Sequence, residues 1–142
     1  MRTAGLALGL ALVASAAPAR AETPQVDYML QCQGCHRADG GDTPGSVPPL
    51  RGFVGRFLTV PGGREYLIRV PGSSQSPLDD GELAAVLNWM IERFGPTAVS
   101  AAFTPFTAEE VARVRRPPLT DVERVRRDLV SRMAAPPAPP AR

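Results

Sequence analysis

Both cysteines and the only histidine of this chain fall within five consecutive residues, Cys32-Gln33-Gly34-Cys35-His36. Two thiols one short turn apart can add across the two vinyl groups on one porphyrin edge. The imidazole that follows then faces the iron from the same side, which is the logic of the C-x-x-C-H haem-attachment spacing. A thioredoxin-like redox pair would need a strand before it and a parallel-sheet pattern after it, and neither is present. A zinc site would need a fourth strong ligand, and the chain has no further Cys or His. A disulfide across so small a loop would add little stability. The residues therefore point to one covalently bound haem, with Cys32 and Cys35 as its anchors and His36 as a ligand to its iron.

Composition narrows the remaining chemistry. All 16 basic side chains are arginine, which removes lysine as an iron ligand, Schiff-base former or general base. Between Glu22 and Phe103 six arginines face nine acids, and from Thr104 to Arg142 eight arginines face five acids. So even a balance lacks the concentrated basic face that nucleic acid requires. At the start, Arg2 precedes an uncharged run from Ala4 to Ala17, followed by Ala19-Arg20-Ala21. This is the pattern of a cleaved signal peptide over residues 1–21, and the run is too short to span a bilayer comfortably. No later segment is apolar enough to cross a membrane, so the chain is expected not to span one after cleavage.

Several elements must position the pentad. Thr23-Pro24 is a helix start, with Thr as cap and Pro in the first turn, and this short helix runs into Cys32. Residues 39–63 are dense in Gly, Pro and Asp and read as loop and turn. Tyr66 to Val70 is a brief apolar stretch, either a strand or a helical turn. Asp79-Asp80 opens the clearest helix, Gly81 to Phe94, whose Leu83, Val86, Leu87, Met90 and Ile91 recur at helical spacing. Beyond Phe103, Thr107 to Glu110 and Thr120 to Glu123 both have the capping-box pattern. Two short Arg-rich helices follow from them, the second with a stripe of Val122, Val125, Leu129 and Met133. The Pro/Ala-rich run 134–142 reads as a disordered tail.

From Thr23 to Phe94 the chain resembles the class I c-type cytochromes. Beyond the pentad, Pro48-Pro49-Leu50-Arg51-Gly52-Phe53-Val54-Gly55-Arg56 fits the family segment Pro-x-Leu-x-Gly-x-x-Gly-Arg. The resemblance implies that the Pro48 carbonyl accepts a hydrogen bond from the free ring nitrogen of His36. It also implies that Arg56 pairs with a haem propionate. The helix ending at Phe94 matches the family's terminal helix, with Trp89 as the aromatic set against the first helix around Val26 and Leu30.

One family feature is missing. Members donate a distal methionine from a loop that falls here on Val70-Pro71-Gly72-Ser73-Ser74-Gln75-Ser76-Pro77, which contains no methionine. Met29 and Met90 are expected on the core faces of their helices, and Met133 lies in the extension. These thioethers, the weak oxygen donors Tyr66, Gln75 and the loop serines, and an open position remain the alternatives for the far side of the iron.

The expected fold is all-α: a signal peptide (1–21), a small cytochrome c-like haem domain (22–103), an Arg-rich helical extension (104–133) and the tail (134–142). The extension is either a clasp on the domain or a docking arm for an acidic partner. The expected function is single-electron transfer in the periplasm between transient redox partners, a dehydrogenase or an oxidase. A haem-based sensor with an open iron site is the second reading. An enzyme such as a peroxidase is not expected, because a second histidine and a distal acid are both lacking. Cys32→Ser or Cys35→Ser should leave at most one thioether bond and His36→Ala should abolish normal ligation, as judged from haem-protein mass after acid–acetone extraction and from the absorption spectrum.

Overall fold

A computed structural model describes residues 22–43, 47–100 and 103–134. The expected signal peptide lies outside the described residues, as does the expected disordered tail (134–142) apart from Ala134, which ends a helix. Among those described the structure is helical, with a single isolated antiparallel bridge between Thr43 and Val47.

Helix α1, Pro24–Gln31, starts as the local chemistry dictates: the Thr23 hydroxyl accepts the Val26 amide at 3.4 Å, and Pro24 fills the first turn. The chain then turns through the cysteine motif and reaches a 3-10 helix, Val54–Thr59. Helix α2, Gly63–Arg69, takes the stretch that could have been strand or helical turn. Its entry is steric. Gly62 is left-handed (φ 84°), and any side chain at Gly63 would collide with the Phe57 carbonyl. Only glycine lets the chain reverse that tightly from the 3-10 helix into α2. A single turn, α3, Pro71–Ser74, follows within the segment read as the distal loop.

Helix α4, Asp80–Phe94, has the reciprocal cap its sequence suggests. Asp79 Oδ1 accepts the Glu82 amide and Glu82 Oε2 accepts the Asp79 amide, both at 2.8 Å. It packs against α1 and, through other residues, against α6. The Trp89 ring lies 5.1 Å from Tyr28 and 5.4 Å from Phe94. The expectation that Leu30 and Met29 face this core is corrected: they are 66 % and 51 % exposed. With Tyr28 turned onto α4, the residues one and two places on are carried roughly 100–200° round the helix.

After α5, Thr97–Ser100, come α6, Ala108–Val114, and α7, Val122–Ala134. Thr107 caps α6 as expected, accepting the Glu110 amide. At α7 the capping residue is Asp121 rather than Thr120: its carboxylate accepts the Arg124 amide at 3.1 Å. Residues 104–133 share the apolar cluster of residues 22–103, with Phe106, Val111 and Leu129 all buried in it. The Asn88 side chain grips both backbone groups of Phe106 (2.7 and 3.0 Å), and Arg64 holds Glu110 through two bonds (2.6 and 2.7 Å). This is the packing of a clasp. Leu129→Ala should therefore cost about 2–5 kcal/mol in denaturant unfolding of the haem-loaded protein, whereas Arg127→Ala on the open face of α7 should change stability by less than about 0.5 kcal/mol.

Candidate functional site

The pentad forms a compact turn continuing from α1. The Cys32 amide still donates to Tyr28 O (2.9 Å), while Cys32 O accepts the amides of Cys35 (3.2 Å) and His36 (2.9 Å). Two side chains pin the turn from outside. The Tyr28 hydroxyl donates to Arg37 O at 2.7 Å, and the Thr43 hydroxyl donates to Cys35 O at 3.1 Å. Burial pushes the Tyr28 phenol up to about 12, so it remains a proton donor at any working pH. The following loop is seated on the end of α4. Gly40 (φ 72°) leaves no room for a Cβ, which would lie 2.6 Å from Phe94, and Gly52 N donates to Phe94 O at 2.6 Å.

Cys32, Cys35 and His36 line one wall of a cavity of about 410 Å³, a volume within the ~300–1,000 Å³ common for cofactor sites. Both thiols are free. Burial raises the Cys32 thiol to about 11, so it stays protonated, and Cys35 is exposed. Burial also lowers the pKa of His36, favouring the neutral imidazole that a metal ligand must be. Its Nδ1 is buried without a hydrogen-bond partner. An unpaired buried nitrogen is costly, and ligation at one ring nitrogen with a carbonyl at the other would remove that cost. An apolar cavity carrying two free thiols and an unpaired imidazole at its edge fits a covalently attached porphyrin. Among the described residues no three His, Cys, Asp or Glu converge as a metal-ion site.

The remaining expected residues divide. Pro48 lies on the wall of the same cavity, but its carbonyl does not meet His36 Nδ1 here. Arg56 does not reach the cavity. It stands exposed on the 3-10 helix, and its guanidinium rests 5.1 Å over the ring of Phe53, which does line the cavity. Arg126 of α7 comes to the cavity instead, 5.2 Å from the same ring and with a buried, unpaired Nε. Its signal is its register, since it lies one turn beyond Val122, which also lines the cavity. Met90 lines the cavity, Met29 does not, and Met133 packs on the core away from it. Of the oxygen donors, Tyr66, Ser73 and Ser76 line it, and Gln75 does not.

No protein-family model matches the chain. A cytochrome c-552 of Thermus thermophilus is 39 % identical over 120 residues, covering 72 % of this chain and 81 % of the relative. A second cytochrome c-552 from Thermus thermophilus is 42 % identical over 108 residues, covering 63 % of this chain and 82 % of that protein. The chain belongs to the class I monohaem c-type cytochromes. Haem c is accordingly its cofactor, and the helical architecture is that of the family.

In this cytochrome the residue that locks the motif turn from beneath is Tyr28. Tyr28→Phe should cost about 0.5–1.5 kcal/mol of stability through the lost bond to Arg37 O, measured by denaturant titration, while the covalent haem content stays that of the unaltered protein.

Proposed function

We propose that this cytochrome is exported to the periplasm and passes single electrons between transiently docked partners, taking them from a dehydrogenase or giving them to an oxidase. The observation that carries the reading is the juxtaposition of Cys32, Cys35 and His36 on one wall of an apolar cavity. Haem bound there supplies an iron that cycles between ferric and ferrous states. Cys32 and Cys35 would hold its edge by thioether bonds, and His36, neutral because it is buried, would ligate the iron.

The chain's other groups shape that site. Pro48, which lines the same cavity as His36, would offer a carbonyl to orient the ring of a ligating imidazole. Apart from His36, Arg126 is the one ionisable base among the described residues lining the cavity, and its free Nε suits a haem carboxylate. Leu83, Val86 and Leu87 keep water from the interior, which limits solvent rearrangement when the charge on the iron changes. Cys35 is exposed, so the attachment edge lies at the surface, where a small transient interface suffices for electron exchange. Export is supported by the leader pattern of residues 1–21 and by a structure in which no described helix is long and apolar enough to cross a membrane. Residues 22–103 then carry the attachment motif, and 104–133 brace the domain and bring Val122 and Arg126 to the cavity.

Potentiometric titration of protein matured with the haem-attachment machinery should give one reversible wave with a one-electron slope. The reductive and oxidative titrations should superimpose without hysteresis. Protein without covalent haem, or haem that cannot be cycled, would overturn the proposal.

A further inference from the structure

The wall of the cavity formed by residues 71–78 is short, and its backbone carbonyls at Ser74, Ser76 and Leu78 are already engaged. Arg115, at the end of α6, enters it with a side chain only 9 % exposed. Its Nε donates to Ser74 O (3.1 Å) and its Nη1 to Leu78 O (2.8 Å) and Asp80 Oδ1 (3.1 Å). Its Nη2 donates to Ser76 O (2.7 Å) and Ser76 Oγ (3.2 Å). One planar guanidinium thus ties down three successive alternate carbonyls of the segment. Ser76 Oγ itself donates to Ser73 O at 2.9 Å. The Ser74 hydroxyl is unpaired but does not line the cavity. Arg69 reinforces the tie, its carbonyl accepting Leu119 N and its Nε donating to Pro117 O, both at 2.9 Å.

The strong iron donors elsewhere in the chain are few. His36 is the single histidine, there is no lysine, and Met29 and Met133 do not line the cavity. Met90 does, but as the fourth member of the α4 stripe Leu83, Val86, Leu87, Met90, all of which face the cavity. That helix packs on α1, the helix that delivers Cys32, so Met90 is carried on a braced element and not on the segment 71–78. Tyr66 is held flat against Phe57, ring centroids 4.7 Å apart.

We infer that this chain offers the haem iron no side-chain ligand opposite His36, and that the space under residues 71–78 is a binding site for a small molecule bonding iron through a lone pair, such as carbon monoxide or cyanide. Arg115 is the positioning residue of that site: it holds the wall closed, so access is governed by the C-terminal extension. The inference rests on the haem reading above.

The experiment uses full-length haem-loaded protein. Acid–acetone extraction first establishes covalent haem; its absence would overturn both readings, whereas haem that is present but refuses ligands overturns this one alone. In the oxidised protein the far-red sulfur-to-iron band should be missing, and cyanide should bind at one equivalent. The reduced protein should bind carbon monoxide. Arg115→Lys, which keeps a charge but cannot bridge the carbonyls, should raise the cyanide association rate several-fold with haem content unchanged. Arg115→Ala should do so more strongly where it folds. An unchanged rate in Arg115→Lys would remove Arg115 from the site. A far-red band abolished by Met90→Leu or Met133→Leu, or a six-coordinate spectrum abolished by Tyr66→Phe, would show that the chain supplies its own ligand and overturn the inference.

Discussion

An apolar cavity of about 410 Å³ cannot simply be left inside so small a chain. Close-packed interiors lose dispersion contacts along every surface that faces a void. Here the 3-10 helix, α2, α4 and α7 all contribute side chains to the same hollow, from Val54 and Phe57 through Leu67 and Val86 to Val122. The protein is therefore arranged around something that is not protein, and filling the hollow completes its core. A filler bonded through Cys32 and Cys35, as proposed above, would contribute independently of the concentration of free ligand, unlike an ordinary cofactor.

The second organising feature is the return of the C-terminal helices. Phe106, Val111 and Leu129 enter the apolar cluster, but the placement is made specific by arginine. Arg64 stacks 4.0 Å over the Phe106 ring while holding Glu110, Arg115 reaches the turn before α4, and Arg132 caps Pro61 O at 3.0 Å. Planar guanidinium groups serve this role better than ammonium groups would, since each can satisfy several carbonyls in fixed directions. An all-arginine chain thus spends its cations on backbone oxygens as well as on carboxylates.

Much of this is readable locally. The pentad is legible because its residues are rare and adjacent. The starts of α1, α4 and α6 are legible because capping is settled within four residues, by Thr23, Asp79 and Thr107. The misreadings have equally physical causes. Leu30 and Met29 look like core residues by type, but the orientation of a two-turn helix is decided by which residue its neighbour accepts, and α4 accepts Tyr28. Arg126, by contrast, is not singled out by the sequence at all: it lies in the C-terminal extension and reaches the cavity only through the packing of α7. The grip of Arg115 on Ser74, 41 residues away, has no local signature at all.

That grip also constrains how the molecule can change. A longer segment at 71–78 could not keep Ser74, Ser76 and Leu78 in register with one guanidinium. Replacing the guanidinium alone would strand three buried carbonyls. Loop length and Arg115 are thus locked as a pair, separated in redesign or in descent only by a step through a less stable intermediate. Insertion variants that succeed here should arise in chains already altered at position 115.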